Sequence, residues 1–521
     1  MNFRQATGTQ VQRLDTGIAR NFSNFLFVDQ NYGSHPVLRR IFSLARKHKY
    51  HSLLIEEISE TDCALLAAEN QSLAIRTSDF QRSQVHRISF FRSPTSQTPT
   101  QADFIGYVIF KRDFFAGRPQ PRVHVFESVM PPFRRIEQNN FIHCQRDYEI
   151  NTLLGNFSVS GVLYAQQNDL TSVCAHVGLR SILACVLPDG DITYERMNAL
   201  AGIDHKNRRV GSGAGGLEPA AMESILTRLN LPFDKVVHEP SQQLNLPTEY
   251  QRDLYGCIES GFPALVGFEL DDPAAGAAGG SRHAIPVFGH TFNEDTWMPQ
   301  AHRAYFGGTQ SYFPSENWLS TFVVHDDNFG PYLCLPRHFL KRDNFRLMYG
   351  IKSCPTTFNA MQAEAIGFAF CNAIANNRPR TGNDWYDRFV VFTRRGWLVL
   401  RTVLVKKEKY LKHLEELRAW DGTSLETDML KKFRDYLPPI FWMVESSAPE
   451  LFNSSRRKFG EVLLPCDKPL PTQLNDSMLL ATRLPGLIYF RPGQLQLEVR
   501  PTQLTGHTPL FSFSGAAGEV A

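Results

Sequence analysis

One helix that begins on a cysteine constrains this chain more than any other feature. In the run CAHVGLRSILACVLPDG, Ala175, Leu179, Ile182, Leu183 and Val186 recur on one face at helical spacing, and Pro188-Asp189-Gly190 stops the pattern. Cys174 therefore opens the helix. At that position unpaired backbone N–H groups and the positive end of the helix dipole favour thiolate over thiol, and the thiolate is the nucleophile. Two glutamines, Gln166 and Gln167, stand just upstream.

A chain of 521 residues exceeds a single hydrophobic core and predicts three domains. The expected boundaries are 1–150, 151–340 and 341–521. The 55 Lys+Arg against 52 Asp+Glu leave +3, too small an excess to make nucleic acid or an anionic membrane the main partner. MNFRQATGTQVQRL has no signal-peptide pattern, and no apolar run approaches the ~20 residues that span a bilayer. A soluble, cytoplasmic protein is expected. The nine cysteines, Cys63, Cys144, Cys174, Cys185, Cys257, Cys334, Cys354, Cys371 and Cys466, are scattered without a CxxC pair, which suits a reducing compartment and supports neither a disulfide framework nor a structural zinc site.

The first third mixes helix and strand. PVLRRIFSLARKHK reads as an amphipathic helix, and HSLLIEEI, QSLAIRT, VHRISFF and DFIGYVIFKR as strands, with a polar loop near 92–102. Nothing there carries recognisable chemistry, so a structural or docking role is expected. In the middle third VGSGAGG is a connection that lacks the Lys-Ser/Thr of a phosphate loop. A helix then starts near Glu218-Pro219, EYQRDLYGCIES is a further helix, and GFPALVGFEL is a buried strand. The small-residue loop DDPAAGAAGGSR leads to His283 on the strand HAIPVFGHTF, and TFVVHDDNFGPYLCLP is a strand ending in acidic and amide residues. The last third is a further α+β unit. It has a long apolar helix at TTFNAMQAEAIGFAFCNAIANN, a hairpin of DRFVVFT with WLVLRTVLVKK, helices at KEKYLKHLEELRAW and LETDMLKKFRDYL, and strands at IFWMVESS, FGEVLLP, GLIYF and QLQLEVR. The tail GHTPLFSFSGAAGEVA is expected to be poorly ordered.

Thiol-based acyl chemistry needs a thiolate, a base that shares its proton, a group that orients the base, and donors for the oxyanion. Cys174 supplies the nucleophile and His283 the base. Asp326 is placed to orient the imidazole, with Asp327 and Asn328 as alternatives. Gln167, or Gln166, offers a side-chain amide to the oxyanion beside the Cys174 backbone N–H.

This order of residues resembles the papain-like cysteine peptidase superfamily, most closely the bacterial double-glycine (bacteriocin-processing type) peptidase domains, in which the third residue is an Asp at a strand end. The resemblance covers about 160–340. It implies an α+β fold with a central papain-like domain between two mixed α/β domains, and a Cys174–His283–Asp326 triad with Gln167 as oxyanion donor. The segments GYVIFKR and LPPIFWMVE are similar to the flanks of such domains in multidomain bacterial proteins. In the family the oxyanion glutamine usually stands six residues before the cysteine; here Gln167 stands seven before and Gln166 eight, and Ala175 follows Cys174 where Gly is common.

His283, His290, His302, His325, Asp326 and Asp327 are dense enough to suggest a metal, but HExxH is absent and the spacings match no standard site. His283 and His290, seven residues apart on one strand, would point to opposite faces. No metal or small-molecule cofactor is therefore expected. Cys185, Cys257 and Cys334 are expected in the core, and His176 at the surface or the cleft. The expected function is hydrolysis of a peptide or isopeptide bond in a protein partner. Acyl transfer of the transglutaminase kind uses the same residues, and a non-catalytic interaction module on a protease fold is a third class. Oligomeric state is open.

Overall fold

Alternating apolar residues build three large sheets. The computed structural model describes residues 4–512, apart from 9–10, 16–22, 34, 60–62, 133–139, 169, 171, 189, 205–216, 238–248, 271–280, 293–310, 338, 340–344, 353, 378–381, 471–475 and 492–497. The glycine-rich connection, the small-residue loop before His283, and His302 lie outside the described residues. The first sheet is an antiparallel meander of Val11–Asp15, Ser52–Ile58, Phe80–Phe91, Phe104–Phe115 and Arg122–Val129. The central sheet runs Gly330–Pro336, Leu319–Asp326, Ser281–Phe292, Ala264–Leu270, Phe345–Ile351, Phe233–Val237, with Asn140–Ile142 also paired to Ser281–Phe292. The third sheet begins with Phe313–Pro314 and continues through Val399–Lys406, Ile440–Ser447, Gly460–Pro465, Ala481–Leu484, Leu487–Phe490 and Glu498–Pro501. The chain is α+β, and no helix among the described residues is long and apolar enough to cross a membrane.

The cores run across positions 150 and 340. Ile41, Ile55 and Phe110 from the first sheet and its helix pack in one cluster with Leu179 and Ile182 of the cysteine helix and with Leu265, Phe288 and Val323 of the central sheet. On the other face of the central sheet, Val266, Ile285 and Phe322 share a cluster with Phe370, Leu404 and Trp442. The cysteine helix, Cys174–Val186, lies between the first two sheets and is buried on nearly every side, beyond the one apolar stripe read from sequence. Gly178 lets it approach the central sheet: a Cβ there would stand 2.8 Å from Leu265 Cδ1.

Three local expectations are corrected. QSLAIRT is part of a helix, Ala64–Arg76, whose buried Leu66, Glu69, Asn70 and Leu73 follow a 3.6-residue repeat. Its Ala, Leu, Glu and Gln content favours that state. DRFVVFT is likewise helical, within Asp384–Arg394. Asn383 caps it by accepting from the N–H groups of Trp385 and Tyr386, and Tyr386, Phe389, Val390 and Thr393 form the buried stripe. The adjacent valines suggested a strand, and tertiary packing overrode them. The described part of the tail, residues 506–512, is built into the fold: Thr508–Pro509 pairs with Arg457–Lys458, and Phe511 is buried. The rest of that segment lies outside the described residues.

Candidate functional site

The three sequence-selected groups arrive from three elements. Cys174 is the first residue of its helix, after the extended Val173. The first N–H groups of a helix have no intrahelical acceptor, so the Cys174 N–H is available to a ligand. His176 fixes this end. Its Nδ1 accepts the Val173 N–H at 3.4 Å, and its Nε2 lies 2.9 Å from Asn198 Oδ1, which assigns the ring proton to Nε2. His176 is fully buried rather than facing solvent or the cleft, with Nδ1 engaged by the helix start and Nε2 by Asn198.

His283 lies on Ser281–Phe292 and Asp326 ends the neighbouring Leu319–Asp326. The His283 Nε2 is 3.4 Å from Asp326 Oδ2 and 3.4 Å from Asp327 Oδ1. Burial works against a charged His283, yet hydrogen bonds to Asp326 and to Cys174, with the charges of Asp327 and Cys174, raise its pKa to about 10. An imidazolium beside a thiolate is the pair a cysteine nucleophile requires. For Asp326, burial opposes ionisation but is outweighed by the His283 hydrogen bond and charge and by the N–H groups of Asn328 and Phe329, so its pKa is lowered. Those N–H groups reach Asp326 Oδ1 at 2.8 and 3.2 Å, which leaves Oδ2 for the histidine. Asn328 directs its side-chain amide at Asp327 Oδ1, 3.5 Å away.

The two glutamines differ. Gln166 is committed to the first sheet: its Oε1 accepts the Val125 N–H at 2.9 Å and its Nε2 stands 3.1 Å from His35 Nε2. Gln167 is half-buried, and no hydrogen bond among the described residues engages its side-chain amide. The residue six before Cys174 is Asn168. Its Oδ1 accepts from the N–H groups of Leu170 and Ser172, and its Nδ2 donates to Glu69 Oε1 at 2.7 Å. Arg76 adds a 2.6 Å bond to the Leu170 carbonyl.

The sequence reading therefore missed the contribution of the first third to this corner. Glu69 and Arg76 hold the loop before Cys174, and Arg40 donates to the carbonyls of Pro331 and Tyr332, just past the aspartate turn. The turn closes at Gly330, whose φ of +114° suits glycine. Tyr164 donates to the carbonyls of Asp326 and Asp327 at 3.2 and 3.3 Å. The one sequence signal for any of this was Asn168 four residues before Ser172, an arrangement that favours a side-chain-stabilised turn.

Of the six candidate metal ligands, His283, Asp326 and Asp327 present atoms that all lie within 4.8 Å of one another. That set of one nitrogen and two carboxylates can accept a divalent cation, which would compete for the imidazole. His290 instead pairs with Glu259. His325 is enclosed by the rings of Tyr164, Phe288 and Tyr332, and burial lowers its pKa to about 3. No protein-family model matches the chain. No curated protein matches it either.

Proposed function

We propose that this protein is a cysteine hydrolase acting on a peptide or isopeptide bond in a protein partner. The observation that carries the reading is His283, whose Nε2 stands 3.4 Å from both Asp326 Oδ2 and Asp327 Oδ1 and whose pKa Asp326, Cys174 and Asp327 together raise to about 10. His283 takes the Cys174 proton, and the thiolate adds to the carbonyl carbon. The oxyanion that forms is met by the Cys174 N–H and by the Gln167 amide. His283 then protonates the departing amine, leaving an acyl-enzyme that water attacks with the same imidazole as base. Asp326 holds the ring and stabilises its charged form, with Asp327 as a second carboxylate. The papain-like resemblance adds a central peptidase domain to this reading, and the residues up to 150 supply the clamp on its catalytic loop.

The test is alkylation with a limiting amount of iodoacetamide across pH, mapped by peptide mass spectrometry. Cys174 should label at least ~10-fold faster than the other eight thiols near pH 7, and His283→Ala should remove the preference. Uniform labelling would sink the proposal. Intact-mass measurement with added amine donors separates transfer from hydrolysis, since only transfer yields a product heavier by the donor.

A further inference from the structure

A second pair of sulfurs lies at the other end of the cysteine helix. Cys185 is on its last turn, and Cys144 is in the link between Asn140–Ile142 and Arg146–Thr152. Both line one groove of about 380 Å³ between the central and third sheets. Its floor includes Phe262, and Lys406 and Lys409 stand at the rim with His143 in the wall. No Asp or Glu lines it among the described residues. The Arg146 guanidinium lies against the Cys185 end, donating to the Ala184, Leu187 and Pro188 carbonyls. Sequence placed Cys185 in the core; it is half-buried, because the helix ends where the groove opens.

We propose that Cys144 and Cys185 form a redox-active dithiol that reacts with a small anionic disulfide, of the glutathione disulfide class, bound in this groove. The groove's cations attract carboxylates, and its position brings both sulfurs to the same ligand. Cys144 Sγ donates to the Phe288 carbonyl at 3.6 Å and Cys185 Sγ to the Ser181 carbonyl at 3.4 Å. The neighbouring Cys144 and burial raise the Cys185 pKa, and Cys144, in the link rather than on the helix, is assigned the first attack. In the first step the Cys144 sulfur attacks one sulfur of the disulfide. One glutathione leaves as thiol, carrying the Cys144 proton, and a mixed disulfide remains. In the second step Cys185 attacks the Cys144 sulfur. The second glutathione leaves with the Cys185 proton, and a Cys144–Cys185 bond remains. The protein loses two electrons and two protons, which the disulfide gains. The reaction is independent of Cys174.

The full-length protein should be equilibrated with glutathione and glutathione disulfide in varied ratio, quenched in acid, alkylated in denaturant and mapped by peptide mass spectrometry. A Cys144–Cys185 bridge appearing in one two-electron transition is expected, and Cys185→Ser should accumulate glutathione on Cys144. If both sulfurs stay alkylatable at ratios that place glutathione on other cysteines, or if either bridges to a third cysteine, the proposal is overturned. Should Cys185→Ser fail to fold by circular dichroism, bridge mapping in the unmodified protein decides alone. Lys406→Gln with Lys409→Gln should slow the reaction with glutathione disulfide by about 3-fold or more at low salt and leave uncharged hydroxyethyl disulfide unaffected. Equal slowing of both would overturn the anion preference.

Discussion

The strand Ser281–Phe292 carries two histidine–carboxylate pairs with opposite electrostatics. His283 meets Asp326 and Asp327 and has its pKa raised to about 10. His290 meets Glu259 and has its pKa lowered. Burial penalises a charged imidazole at both places; the carboxylates differ. Glu259 already neutralises Arg401, which in turn reaches Glu445 at 2.7 Å, and Arg401 outranks His290 among the groups that hold Glu259 ionised. Asp326 Oδ1 is held by the Asn328 and Phe329 N–H groups, and the Asp326 hydrogen bond and the charge of Asp327 act on His283. A histidine beside a carboxylate thus has its charged form favoured in one case and disfavoured in the other.

The contrast is broken most severely by removing its carboxylates. Glu259→Gln leaves Arg401 buried against an uncharged partner and should cost about 3–5 kcal/mol in urea unfolding. Asp326→Asn keeps an oxygen for the Asn328 and Phe329 N–H groups, and should cost no more than about 1 kcal/mol of stability. Combined with Asp327→Asn, it should lower turnover or Cys174 alkylation by roughly 10²- to 10⁴-fold. Equal destabilisation by the Glu259 and Asp326 substitutions would erase the distinction.

A smaller effect separates the glutamines. Gln167→Ala should reduce turnover by roughly 10²–10³-fold, the ~2.7–4 kcal/mol typical of one oxyanion donor, with little change in unfolding. Gln166→Ala should instead cost about 1–2 kcal/mol of stability by orphaning the Val125 N–H. Reversal of these two outcomes would reassign the oxyanion donor.

The smallest effect is the pH dependence of stability, where the two histidines have opposite signs. A folded pKa raised to about 10 means that the His283 contribution is fully present below the unfolded value of ~6.5 and is lost as pH rises through 10. The lowered pKa of His290 makes its contribution present above ~6.5 and lost as pH falls. Subtracting the unfolding free energies of His283→Gln and His290→Gln from that of the unmodified protein, between pH 5 and 10, should therefore give slopes of opposite sign.

Local chemistry was legible in the chain itself. The cysteine at a helix start, the strands around His283 and Asp326, and the long apolar helix at Ala360–Asn377 each follow from periodicity and end signals within a short window. Short windows failed where helical and extended repeats overlap, at Ala64–Arg76 and Asp384–Arg394. Which glutamine is spare, why Glu69, Arg76 and Arg40 brace a loop and a turn far along the chain, and which histidine holds its proton were decided only by the tertiary structure. Residue spacing determines which groups share a helix or strand face. The charge state of a buried group depends on every charge packed around it, and Arg401 reaches Glu259 from another sheet.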